Sequence, residues 1–257
     1  METDRDDGYS TTPNDYIDHW MIAMLLGEIK RRLFRIDRPY KDLKREIWKQ
    51  PLQDIRRLHP NPAIIFDVGG NVGQTATRFH TEFPDAKIHS FEPFPAAFQT
   101  LSNTARGLGT EAHPFALSDE IGTKTLYLSR LSVLNSLLPP AKERENFFDS
   151  RVLTVQTNTV DAFCQQHAIE QIDLLKIDVQ GHELAVLKGA EGLLESRQIN
   201  LIYCEINYLE FYQNQAAWWD IPQYLHRFGY QVHDLYNTVY GSDGHARWCD
   251  ALFKRVR

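Results

Sequence analysis

From residue 63 onward, short apolar runs rich in β-branched and aromatic residues alternate with stretches whose apolar positions recur every three or four residues. The pattern predicts strand 63–68, helix 72–82, strand 87–92, helix 95–105 and strand 111–117, the alternation of a parallel sheet with crossover helices. Lys124 to Ser129 and Val152 to Asn158 are richer in β-formers and bracket a polar segment holding Pro139 and Pro140, read as two added strands around a flexible insertion. The alternation resumes with helix 159–168, strand 172–178, helix 183–195, strand 199–206, helix 216–228 and strands 230–236 and 247–254.

Ahead of this pattern, residues 1–12 are polar and are expected to be disordered. Ile17, Met21, Met24 or Leu25, and Ile29 stand near helical spacing, and Tyr40, Leu43 and Ile47 repeat it before Pro51. The expected organisation is an N-terminal helical extension over 1–55, acting as a lid or as an interface for a homo-oligomer, and one α/β domain over 56–257.

Composition narrows the partners. A net charge of -6 argues against a general nucleic-acid binder, yet residues 30–57 carry eleven Lys or Arg against four Asp or Glu. That stretch is either a solvated helical face or a surface for an anionic partner such as a nucleotide-linked sugar or an acidic membrane. Three cysteines without metal-ligand spacing read as reduced thiols, and the apolar run Met21 to Leu26 is too short to span a bilayer. A soluble cytoplasmic protein is expected.

Two strand ends carry the chemistry. The run Ala63 to Gly73 ends in Asp67-Val-Gly69-Gly70-Asn71-Val-Gly73, a glycine turn that lets a ligand approach backbone. Glu92 closes the next strand, where a carboxylate accepts both ribose hydroxyls of an adenosine. The loop departs from G-x-G-x-x-G, and Asp67 would repel a pyrophosphate, which disfavours NAD. S-adenosylmethionine, with a sulfonium, an ammonium and a carboxylate, suits the site better. Ala116-Leu-Ser118-Asp119 ends the third strand, where Asp119 either contacts adenine or begins a turn with Gly122. The second end is Asp173 to Glu183, in which Asp178, Gly181, His182 and Glu183 crowd the close of an apolar strand.

These blocks, with Ser90-Phe-Glu-Pro-Phe-Pro95, Thr159-Val-Asp161 and Asp173 through Gly189, resemble the FkbM family of S-adenosylmethionine-dependent methyltransferases. The resemblance covers roughly residues 62–210. It implies a Rossmann-like class I fold, a mostly parallel seven-stranded sheet with helices on both faces, and O-methylation of a small molecule, most often a sugar or glycosylated metabolite. Gly70 stands where the family usually has Ala, and Asn135-Ser136-Leu137 where paired serines are usual.

Methyl transfer to an alcohol needs alignment and a base. His182 is the candidate base. In one arrangement Asp178 orients His182 and Glu205 holds the acceptor hydroxyl; in the other, less favoured, Asp178, Glu205 and Asn207 ligate a magnesium ion. The expected cofactor contacts are Asp67, Gly69, Asn71, Gly73, Glu92, Ala116, Ser118, Asp119 and Asp178. Tyr208, Phe211, Tyr212, Trp218 and Trp219 form either core or a ring wall for a sugar. The rivals are a non-catalytic cofactor-binding or assembly protein of the same fold and an N-methyltransferase.

Overall fold

The computed structural model describes residues 51–256, and the helices expected over 14–35 and 40–50 lie outside them. The elements in chain order are α1 (Pro51–Leu58), β1 (Ile64–Val68), α2 (Gln74–Glu82), β2 (Lys87–Phe91), α3 (Pro95–Leu108), β3 (Glu111–His113), β4 (Ala116–Leu117), β5 (Gly122–Ser129) and β6 (Phe148–Asn158). They continue with α4 (Val160–Gln166), β7 (Ile172–Ile177), α5 (Glu183–Lys188), α6 (Glu191–Glu195), β8 (Ile199–Asn207), α7 (Asp220–His226), β9 (Tyr230–Tyr240) and β10 (Ala246–Arg255). Seven strands form one sheet in the order β3-β2-β1-β7-β8-β10-β9, parallel from β3 to β8, with β10 antiparallel to both its neighbours.

Strand periodicity divides the core. On β1, β7 and β8 the residues Ile65, Leu174 and Leu201 face one layer with Ile55, Ala76 and Phe79, whereas Phe66, Leu175 and Ile202 face the other with Phe163, Val186 and Leu225. Every residue of β7 is buried, as a central parallel strand covered on both faces requires. The boundary drawn at residue 55 falls inside α1, whose Ile55 is fully buried against the sheet.

Three expected elements break. The strand 111–117 parts at Pro114, which lacks an N–H for the ladder, so β3 joins the large sheet while β4 joins β5 and β6 in a three-stranded sheet. The helix 183–195 parts into α5 and α6 around Gly189, whose carbonyl accepts from Asp161 N and where an added Cβ would lie 2.0 Å from the Ser118 carbonyl oxygen. The helix 216–228 shortens to Asp220–His226. The insertion after β5 is tied down rather than loose, because Ala141 N donates to Phe211 O and Ser136 Oγ to Gln180 O, at 3.0 and 2.7 Å.

Two polar clusters sit in the sheet away from the crevice. Asp173, at the opposite end of β7, accepts from Ala63 N, Ile64 N and Asn200 Nδ2 at 2.7, 3.0 and 2.8 Å, and so fastens the entry to β1. His89 and His113 on neighbouring strands β2 and β3 are buried enough that desolvation lowers each pKa to about 4. All three cysteines are buried free thiols.

Candidate active site

The register sets the carboxyl ends of four parallel strands level, Phe91 opposite Val68, Val68 opposite Ile177, and Ile177 opposite Cys204. Between β1 and β7 the strand order reverses, and open α/β sheets bind ligands at such a switch point. Glu92, the Gly69–Gly73 loop, Asp178 and Glu205 therefore follow one another along a single edge.

The loop is built for close approach. Gly69 adopts φ +80°, and an added Cβ would lie 1.9 Å from the Asp178 carbonyl oxygen. Gly69→Ala is expected to lower stability by roughly 2 kcal/mol or more, seen as a lower denaturant midpoint, because both its φ and its contact exclude a side chain. Asn71, at φ +46°, gives its N–H to Glu92 Oε2 at 2.9 Å, and its Oδ1 is buried with no hydrogen-bond partner among the described residues. Such an orphaned acceptor beside open backbone fits a cationic or hydroxyl-bearing ligand. Glu92 also accepts from Phe94 N at 2.8 Å, and burial raises its carboxyl to about 6.

Asp67 departs from expectation. It is fully buried, 2.8 Å from Lys176 Nζ, which also donates to the Gly69 carbonyl at 3.0 Å. Its carboxylate supports the loop from beneath, and the paired charge weakens the repulsion argued against a pyrophosphate. Ala116 and Ser118 are likewise buried, with Ser118 N donating to Asn158 O at 2.9 Å. Of that block Asp119 has the exposed side chain; burial alone would raise its carboxyl, but bonds from Ser118 and Lys124 hold it below its usual value.

His182 joins this group, not the acidic one. Its Nε2 lies 2.9 Å from Ser118 Oγ, whose single proton goes to Asp119 at 2.8 Å, so Nε2 carries the proton that His182 gives to Ser118. Burial lowers its pKa to about 4. Asp178 does not orient it: Asp178 Oδ1 accepts from Gln180 Nε2 at 2.7 Å, and the left-handed turn at Gln180 and Gly181 sends the two side chains apart. Glu183, buried in the first turn of α5, accepts from Val179 N and Gly181 N at 3.1 and 3.0 Å and so holds that turn.

Gln180 instead links the two carboxylates. Its Nε2 also reaches Glu205 Oε2 at 3.2 Å, and its Oε1 lies 3.2 Å from the Tyr212 hydroxyl. This donor set does not suit a magnesium ion, because an amide N–H occupies the gap between Asp178 and Glu205 and Asn207 turns Nδ2 toward Glu205 at 3.4 Å. Beyond Gln180 opens a cavity, partly open to solvent, bounded by Glu205, Asn207, Arg144, Phe148, Tyr212 and Trp248. The Arg144 guanidinium stacks over the Phe211 ring at 4.4 Å, and burial lowers its pKa to about 10. Phe211 and Tyr212 thus serve the cavity, while Trp218 and Trp219 are exposed and Tyr208 meets Cys249. Gln180, Arg144 and Trp248 were not singled out in the sequence. The first lay inside the informative 173–183 stretch, but Arg144 sits in a mixed-charge run that gives no sign of facing inward.

A switch-point glycine loop, a carboxylate closing β2 and a cavity lined from the ends of β7 and β8 agree with the comparison of families, in which the Methyltransferase FkbM domain matches residues 67–232. The chain belongs to the FkbM methyltransferase family. As an FkbM methyltransferase it depends on S-adenosylmethionine, and the loop with Glu92 supplies the residues that fit that donor. Among its relatives, "Methyltransferase sdnD" of Sordaria araneosa is 31% identical over 57% of this chain and 67% of its own. The "2-O-methyltransferase NoeI" of Sinorhizobium fredii is 27% identical over 78% of this chain and 84% of its own. The "Hexuronic acid methyltransferase AglP" of Haloferax volcanii is 29% identical over 63% and 66% respectively. Among the described residues of this methyltransferase, no helix is long and apolar enough to cross a membrane.

Proposed function

We propose that this methyltransferase methylates a hydroxyl of a sugar or glycosylated small molecule, with Glu205 receiving the hydroxyl proton. The observation that carries the reading is the cavity beyond Gln180, where flat aromatic walls meet Glu205, Asn207 and Gln180. Rings stack on the apolar faces of sugars, and paired amides and carboxylates match their hydroxyls. The names of NoeI and AglP describe a 2-O-methyltransferase and a hexuronic acid methyltransferase, which supports the same acceptor class.

Bound S-adenosylmethionine supplies an electrophilic methyl on sulfur, so that the acceptor oxygen bonds carbon as the carbon–sulfur bond breaks. The chain's residues do the rest. The Gly69–Gly73 backbone and Asn71 Oδ1 would hold the donor's amino-acid end, Glu92 would accept from the ribose, and Asp119 would meet the adenine. Gln180 keeps Asp178 and Glu205 in fixed relation, so the hydroxyl meets the methyl in line and its proton passes to Glu205.

The test is release of S-adenosylhomocysteine with a panel of free sugars, uronic acids, glycosides and amines. Transfer to sugar hydroxyls is expected; transfer confined to amines would overturn the reading. His182→Ala is expected to raise KM for S-adenosylmethionine while kcat stays within roughly a factor of three, because His182 acts through Ser118. A collapse of kcat with unchanged KM would return the base role to His182.

A further inference from the structure

We propose that His89, Glu111 and His113 form a binding site for zinc or a similar borderline divalent cation at the edge of the large sheet, remote from the acceptor cavity. His89 stands on β2 opposite Glu111 of β3, and the two-residue period of β3 brings His113 to the same face as Glu111. Three donor atoms converge there: His89 Nδ1 lies 3.1 Å from His113 Nε2 and 3.4 Å from Glu111 Oε2, and the last two are 4.0 Å apart. A tetrahedral zinc ion with bonds of about 2.0–2.1 Å keeps its ligands about 3.3 Å apart. The three atoms therefore already outline one face of such a tetrahedron, with the two-imidazole, one-carboxylate donor set that zinc accepts.

The surroundings hold this arrangement. Lys87 Nζ binds Glu111 Oε1 at 2.9 Å, which leaves Oε2 turned to the rings, as a second contact does for a ligating carboxylate. The His113 ring stacks on Phe91 with centroids 4.8 Å apart, and Phe163 packs edge-on to both imidazoles at 5.5 and 4.8 Å. His89 Nε2 has no hydrogen-bond partner among the described residues, so the ring's polar contacts all lie on the Nδ1 side. His89 Nδ1 thus meets both an imidazole nitrogen at 3.1 Å and a carboxylate oxygen at 3.4 Å, so the three donor atoms face one point. Glu111 is partly open to solvent, which leaves the fourth position to water or to His167, whose ring centroid is 6.1 Å from that of His113.

An ion there would clip β3, only three residues long, to β2. Glu92 N donates to the His113 carbonyl at 3.1 Å, so the clip would also steady the acid assigned to the ribose.

Cobalt(II) titration of the chelator-treated full chain tests the site, because tetrahedral cobalt absorbs visibly and reports its ligands. One equivalent per chain with tetrahedral bands, displaced by zinc, is expected, with affinity falling roughly tenfold or more in Glu111→Gln and in His113→Gln. Glu111 is partly exposed whereas His113 packs against Phe91 and Phe163, and circular dichroism checks that both variants fold. No tetrahedral spectrum in the natural chain, or one unchanged in both folded variants, would overturn the proposal. Neither readout involves the acceptor, so the outcome is independent of the proposed function.

Discussion

Replacing Glu205 by glutamine is expected to lower kcat by about 10²- to 10⁴-fold, the usual span for loss of a general base, while S-adenosylmethionine binds as before. The side chain keeps its shape and its place beside Gln180 and Asn207, yet it can no longer take a proton. Single-turnover methyl transfer and calorimetric titration of the donor, measured on the same protein, separate the two effects. Full turnover in Glu205→Gln would remove the base from Glu205, and lost donor affinity would place Glu205 in the cofactor site. Asp178→Asn should fall between these extremes, since the Asp178 carboxylate accepts from Gln180, which also reaches Glu205.

Glu92→Ala is expected to weaken binding of S-adenosylmethionine and S-adenosylhomocysteine by roughly 100-fold. It removes a charged acceptor for the ribose and leaves the Asn71 and Phe94 amides unpaired, and hydrogen bonds to charged groups contribute about 1.5–3 kcal/mol each. The natural protein should show a matching pH dependence. Burial raises the Glu92 carboxyl to about 6, and the carboxylate accepts from hydroxyls more strongly than the protonated acid, which has lost its charge and one acceptor site. Affinity should therefore fall as pH drops from 7.5 through 6, approaching a tenfold loss per pH unit below that. Stability from this group runs the other way. A carboxyl raised above its unfolded value stabilises most below about 4.5, and that contribution is lost as pH rises through about 6. Donor affinity flat from pH 7.5 to 5 would show that Glu92 does not hold the ribose.

The sheet was legible in the sequence because β1, β7 and β8 are buried on both faces and so leave near-continuous apolar runs, and Phe66, Leu175 and Ile202 read as core without any tertiary knowledge. Element ends were legible where local chemistry sets them, as with Thr159, whose hydroxyl caps α4 by accepting from Ala162 N. They were not where a distant contact does, as at Gly189, which yields to the Ser118 carbonyl. The candidate site divides the same way. Glycines and strand-end acids mark the crevice, but which acid faces outward depends on Lys176, a residue two positions before Asp178 whose ion pair draws Asp67 inside. Likewise the Asp178 and His182 spacing suggested a couple, and only the positive φ at Gln180 and Gly181 separates them. Such backbone reversals leave little trace in residue type when the first of the pair is not glycine.

The buried thiols make this protein convenient to probe. Burial raises the Cys164 and Cys249 thiols to about 12 and about 11 and holds Cys204 well above its usual value. Only the thiolate reacts, so the native chain should resist maleimide and iodoacetamide at neutral pH. A single cysteine introduced at the rim of the cavity would then carry a fluorophore with no background to remove, and slow labelling of the native thiols would time the opening of the core itself.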